Sequence, residues 1–264
     1  MATGRVRCLE QPRLSAVVPM WNEEASISRT VSALVGAFDD LVATGLIRSW
    51  ELILVDDGST DATGALADAL ATSDPHIRAV HHDRNRALGA AIRTGFAASS
   101  GDLILYTDAD LPFDPAEVAL VLRTLDERQA DIVAAYRLDR GDDGPRRRAY
   151  TLVYNWLVGV VLGLDVDDVN FAAKLVRRDL LDRIELRSEG SFIDAELLAR
   201  AEAAGATVVQ VGVTYWPRTA GTSTLSSARA IATILVEMAR LAPGIRRDRA
   251  RRVLAGGAAD RQRG

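Results

Sequence analysis

Five short apolar runs, each followed by a longer stretch with helical spacing, constrain the fold of this chain more than any other feature. Leu14–Val18, Glu51–Val55, Ile77–His81, Leu103–Thr107 and Asp131–Tyr136 read as strands. The stretches 24–44, 60–72, 86–99 and 114–128 between them read as helices. Strands this apolar, separated by helices, imply an α/β fold with a mostly parallel sheet covered on both faces. The pattern breaks at Leu138–Arg148, where Gly, Pro and charges of both signs predict a loop. Beyond it the spacing predicts an apolar helix over Ala149–Leu164, a strand at Ala172–Val176 and a helix over Phe192–Ala204. A strand at Thr207–Val213 and a helix over Ser226–Leu241 follow. The chain divides into an extension (1–13), one domain (14–242) and a tail (243–264) expected to be frayed. Seven arginines in that tail offer contacts to anionic lipid.

The 264 residues are 48% apolar and 26% charged, enough for a normal core. A formal charge of −4 gives no global basic field, so nucleic acid is not an expected partner. Cys8 is the single cysteine, which excludes an intrachain disulfide and fits a reducing cytoplasm. The opening residues MATGRVRCLEQPR contain no apolar signal core. No run reaches the roughly 18–20 apolar residues of a membrane span. The nearest, Ala149–Leu164, reads as a buried or half-buried helix, with Tyr154 and Trp156 as core residues. Its flanking Arg146, Arg147 and Arg148 add an expectation of peripheral contact at the cytoplasmic face of a membrane.

In open α/β sheets, ligands bind outside the carboxyl ends of the strands. Here those ends carry Asn22-Glu23-Glu24, Asp56-Asp57 with Asp61, and Asp108-Ala109-Asp110. Single acids at such places cap helices. Several at one rim repel one another, by roughly 4 kcal/mol per pair at 4 Å and an effective dielectric of 20, and call for a cation. Asp108 and Asp110 are two apart and share a side in extended backbone. Oxygen ligands without His or Cys nearby suit Mg²⁺ or Mn²⁺, which usually complete their shell with substrate phosphates. There is no GxxxxGK[ST] loop and no GxGxxG after the first strand, so neither a P-loop nor a dinucleotide-binding site is expected. His81 and His82 read as ordinary strand residues facing opposite sides.

PMWNEE (19–24) resembles the PxYNE opening of family 2 glycosyltransferases, with Trp21 in place of the usual Tyr, and VDDGSTDAT (55–63) resembles their DDGSxDxT segment. Asn85, Gly89, Ala91 and Gly95 resemble their N-x₃-G-x-A-x₃-G helix entry, and DADL (108–111) their DxD motif. Farther on, Phe171–Leu175 with Arg177-Arg178 resembles the GFKL-x-RR segment of polyprenyl-phosphate (dolichyl-phosphate-type) sugar synthases. Phe192–Leu197 resembles their F-x-x-D-x-E-L helix, and Arg218–Ser223 their closing R-x-x-G-x-S. The resemblance covers about residues 14–224.

It implies a GT-A fold, a mostly parallel Rossmann-like sheet with helices on both faces, and an inverting transfer from a nucleotide-sugar, GDP-mannose or a UDP-sugar. Residue by residue, Pro19, Trp21, Glu23, Val55 and Asp57 would line base and ribose, and Asp108 and Ala109 would contact the nucleotide. Asp110, with Asp108, would bind the metal. Arg137 and Arg218 would grip phosphates. Arg146, Arg147, Arg148, Lys174 and Ser223 would meet the acceptor phosphate. Pro112 stands where the family often has a further metal ligand, Gln, so Asp114 or a water would substitute. Two alternatives stand beside a polyprenyl-phosphate acceptor. One is a soluble hydroxyl acceptor, which needs a base from Asp194 or Glu196. The other is a non-catalytic nucleotide-sugar-binding module.

Overall fold

A computed structural model describes the backbone of residues 10–138, 145–216 and 228–261, and the side chains of 10–138, 151–216 and 231–254. Its strands are β1 (Arg13–Met20), β2 (Ser49–Asp56), β3 (Ile77–His81), β4 (Leu103–Thr107), β5 (Ile132–Arg137), β6 (Ala173–Arg177) and β7 (Val208–Val213). Its helices are α1 (Ile27–Ala43), α2 (Thr63–Ser73), α3 (Leu88–Ala98), α4 (Val118–Glu127), α5 (Pro145–Leu162), α6 (Arg178–Leu181), α7 (Ile193–Ala204) and α8 (Ala228–Arg261).

The strands form one sheet in the order β3-β2-β1-β4-β6-β5-β7. All neighbours pair in parallel except β6, which runs antiparallel to β4 and β5. The connection from β5 through α5 begins and ends at the same sheet edge, and this reverses β6. The mostly parallel α/β sheet expected from the alternating runs is present. Strand residues are buried on both faces, as Leu52, Ile53, Leu54 and Val55 in β2 illustrate.

Helices such as α1 cover the sheet with one apolar stripe. In α1 the buried residues are Ile27, Val31, Leu34, Phe38 and Leu41, spaced three and four apart. They pack with Leu52 and Leu54. The opposite face takes α3 through Ala91, Ile92 and Phe96, which meet Val17, Ile53 and Tyr106. A second cluster joins β5 and β6 to α5, α7 and α8.

The half-buried α5 splits the sequence expectation. Tyr154, Val158 and Leu162 point inward at intervals of four, so Tyr154 is a core residue. Trp156 is 67% exposed and is not. The helix also starts at Pro145, inside the expected loop. Proline suits the first helical turn, where its missing N–H would have had no partner.

The frayed tail is the larger correction. α8 continues through Pro243 to Arg261. Its inner stripe, Ile234, Met238, Ala242 and Ile245, joins the cluster with α5 and α7. The arginines beyond it bond carbonyls at two helix ends. Arg246 Nε donates to the Val161 carbonyl (2.7 Å) and Arg249 to that of Leu162 (2.9 Å). Arg252 reaches the Glu202 and Gly205 carbonyls at the end of α7. Cations there also oppose the negative end of each helix dipole. These partners lie far away in sequence, so no local pattern announces them. Replacing Arg249 by Ala is expected to lower stability by about 1 kcal/mol; an unchanged urea midpoint would show that the cap contributes nothing.

Candidate active site

The parallel order β2-β1-β4 brings three strand tips side by side. Met20 pairs with Asp56, and Val17 with Tyr106, which fixes their register. The loops after β1 and β2 are then laced by reciprocal bonds. Asn22 donates its backbone N–H to Ser59 Oγ, and its side-chain oxygen accepts from the Thr60 N–H at 2.8 Å. The Glu23 N–H donates to Thr63 Oγ1, and Glu24 accepts from the Ala62 N–H. Glu23 itself receives the Ser26 hydroxyl at the start of α1. Asp61 accepts from the Thr63 N–H and hydroxyl, so it acts as a cap.

Positive φ angles occur at Asn22 (56°) and Leu111 (52°), just past β1 and β4, and at Ala87 (70°), immediately before α3. Non-glycine residues hold such angles only where the surroundings over-determine them. Gly58 (φ 67°) lies so close to Arg84 that a Cβ would sit 2.4 Å from its carbonyl carbon, so the turn after β2 seats directly on the chain leaving β3.

The doublet Asp56-Asp57 meets the doublet His81-His82. His81 Nδ1 lies 3.0 Å from Asp56 Oδ2, and His82 Nδ1 lies 2.6 Å from Asp57 Oδ1. The cause is the parallel register, which sets Asp56 opposite His81. Neither histidine is therefore an ordinary strand residue. Two doublets that each close an apolar run were the available signal. Burial opposes ionisation of Asp56, but hydrogen bonds from Ser59 and His81 outweigh it and hold its pKa below the usual range. The bond to Asp56 raises the pKa of His81 against a smaller opposing effect of burial.

These partners overturn the expected rim of acids around one ion. Asp56, Asp57 and Asp61 are engaged in loop structure, and no group of three or more His, Cys, Asp or Glu among the described residues is arranged to hold a metal. Asp108 and Asp110 remain at the tip of β4. Asp108 accepts from the Tyr106 hydroxyl at 3.2 Å. Burial, then the charges of Asp108, Asp194 and Asp110, push the Tyr106 pKa well above its usual value. Three negative charges thus bear on one buried phenol, with Asp108 in hydrogen-bond contact, and the sequence missed this residue because it reads as plain strand. Asp114 caps the turn at Pro115–Glu117 through the Ala116 N–H.

Behind Tyr106 lies a buried ion pair. Lys174 is 0% exposed, with Nζ bonded to Asp194 Oδ1 and to the Phe171 carbonyl at 2.8 Å. It cannot meet an acceptor phosphate as expected, because its ammonium is sealed inside the sheet. Burial, against Lys174, raises the pKa of Asp194. Glu196 is also sealed: it accepts from the N–H groups of Arg187 and Ser188 and from Arg200 Nε. Arg137 is buried against Asp168 (2.8 Å), with its guanidinium 5.2 Å from the Tyr215 ring centre. Gripping a phosphate would require it to exchange that carboxylate.

Pro19, Val55 and Ala109 line the strand tips, and Trp21 is exposed beside them. Arg218 and Ser223 lie outside the described residues. Arg146, Arg147 and Arg148 fall in the first turns of α5, where only backbone is described.

The family model for glycosyl transferase family 2 matches residues 15–185. The chain belongs to that family. It is 30% identical over 224 residues to a dodecaprenyl-phosphate galacturonate synthase of Rhizobium johnstonii, covering 84% of this chain and 64% of that protein. It is 32% identical over 192 residues to an undecaprenyl-phosphate 4-deoxy-4-formamido-L-arabinose transferase of Salmonella paratyphi A, covering 71% and 57%. The chain thus spans less than two thirds of the length of these relatives. Among solved structures it resembles glucosyl-3-phosphoglycerate synthase of Mycobacterium tuberculosis in complex with Mn²⁺ and UDP-glucose. The TM-score is 0.64 at 26% identity, over 86% of this chain and 79% of that one. The fold is GT-A.

Lys174→Met leaves the Asp194 charge buried without its partner and is expected to cost about 3–5 kcal/mol. Adding Asp194→Leu should restore most of that loss in a double-mutant cycle. Equal melting temperatures for wild type and Lys174→Met would refute the pairing.

Proposed function

We propose that the chain transfers a glycosyl group from a nucleoside-diphosphate sugar to a polyprenyl phosphate, with inversion at the anomeric carbon. The observation that carries the acceptor assignment is the outer face of α5. Leu152, Val153, Trp156 and Val160 stand exposed there. Val160 also lines a groove of about 580 Å³ with Val253, Leu254, Arg246 and Arg249 of α8. An apolar face rimmed by arginine suits an anionic lipid surface. No helix among the described residues is long and apolar enough to cross a membrane, so the proposed contact is peripheral. The dodecaprenyl- and undecaprenyl-phosphate relatives support the same acceptor class.

The chemistry agrees with an anionic acceptor. A phosphate oxygen attacks without a base, whereas a hydroxyl requires one. Asp194 is paired with Lys174, and Glu196 is occupied by loop N–H groups, which disfavours both as bases. On the donor side, Asp108 and Asp110 offer oxygen ligands beside one another. This fits Mg²⁺ or Mn²⁺, ions that need one or two carboxylates plus substrate phosphates. When bound, such an ion neutralises charge on the departing diphosphate. Pro19, Trp21, Val55, Asp57 and Ala109 line the nucleotide in this reading. Glu23 shapes the loop through Ser26. Arg218 is assigned to a donor phosphate in this reading. Arg146, Arg147, Arg148 and Ser223 are assigned to the acceptor phosphate.

Two measurements test this. Release of nucleoside diphosphate from UDP- or GDP-sugars should require a polyprenyl phosphate and should fall at least about 100-fold in Asp110→Asn. Equal release with a small hydroxyl acceptor such as phosphoglyceric acid would instead favour a soluble substrate. Separately, Trp156→Asp should abolish co-sedimentation with anionic vesicles at low salt while leaving nucleotide binding intact. Unchanged sedimentation would remove α5 from the membrane contact.

A further inference from the structure

Asp57 does not offer both carboxylate oxygens to a ligand. Its Oδ1 accepts two bonds, from His82 Nδ1 at 2.6 Å and from the Arg86 N–H at 2.8 Å. Its side chain and that of His82 are each only 5% exposed. A carboxylate is acceptor-only, so Nδ1 of His82 carries the proton in this pair. The far nitrogen, Nε2, lies 2.9 Å from Thr94 Oγ1 on α3. The imidazole is therefore held at both ends, and it fixes the carboxylate in one orientation. No protein group among the described residues is bonded to Oδ2.

Nucleobases differ in what they give a carboxylate. Guanine presents two adjacent donors, its ring N1–H and its amino group, and pairs best with both oxygens of one carboxylate. Uracil and thymine present a single ring N–H between two carbonyls, which needs one oxygen. Adenine and cytosine place an unprotonated ring nitrogen beside the amino group, which a carboxylate repels. A carboxylate with one oxygen already saturated matches the second class and leaves one guanine donor without a partner. An unmatched buried donor costs more than a missing contact.

We infer that His82 is a positioning residue that restricts Asp57 to one available oxygen, and so makes the donor site selective for a uracil or thymine nucleotide over a guanine nucleotide. This rests on the reading of Asp57 as part of the nucleotide site. It narrows the donor to UDP- or dTDP-sugars, and the site would hold the base by a single charge-assisted bond.

The test is calorimetric binding of UDP and of GDP, each with Mn²⁺, in the absence of any acceptor. The wild-type protein should prefer UDP by roughly ten-fold or more. In His82→Leu, Asp57 loses its anchor and can turn both oxygens outward, so the UDP-to-GDP preference should fall several-fold towards parity. His82→Gln, whose amide can still donate to Oδ1, should recover it. If His82→Leu does not fold, Thr94→Val, which releases the far end of the imidazole, should lower the same ratio. A merely structural role would weaken both nucleotides equally and leave the ratio unchanged, which overturns the inference. Equal wild-type affinities overturn it too, as does failure of both nucleotides to bind. If UDP preference holds but no sugar reaches a polyprenyl phosphate, the acceptor proposal fails and this one stands.

Discussion

Parallel pairing of β1 with β2 on one side and β4 on the other is the constraint from which the site follows. Backbone hydrogen bonds fix the register, so Met20, Asp56 and Thr107 end at one sheet edge. Everything polar at that edge is then placed by short loops. The laced bonds between Asn22, Glu23 and Glu24 and the turn at Ser59–Thr63 hold two of the loops as one unit. Such lacing sustains the positive φ at Asn22, which a freer loop would relax.

Charge is the second organising element. The acids at this edge look alike in sequence and have unlike fates. Asp56 and Asp57 are tied to histidines, Asp61 caps, and Asp108 accepts from the Tyr106 hydroxyl. Beneath them two buried cations are each matched with an acid, Lys174 with Asp194 and Arg137 with Asp168. An unmatched charge there would be costly, because the interior cannot replace its hydration. The site is thus built on neutralised pairs.

The third layer is α5 with α8. Each turns one stripe to the core and leaves another outside. Their inner residues share a cluster with α7, and the arginines of α8 close the ends of α5 and α7. α8 also reaches the active-site side: Glu237 accepts from Ser188 Oγ and from the N–H groups of Glu189 and Gly190. That loop presses on Gly89, where a Cβ would come within 2.5 Å of the Ser188 carbonyl. α8, which shares a core cluster with α5, and the nucleotide-side helix α3 therefore both press on one loop.

The strands, the helices and their mostly parallel arrangement were legible in the sequence because apolar period and turn residues are local properties. The DxD pair was legible for the same reason: spacing of two at a strand tip is visible in one dimension. Partnership was not. Lys174 looks like a surface cation until strand pairing buries it, and Asp57 looks like a free ligand until the β2–β3 register sets His82 against it. The arginines past Pro243 look unpatterned until helix ends more than 40 residues away supply their acceptors. Which charges stay open to a ligand depends on contacts between distant segments, and only the tertiary structure could decide that.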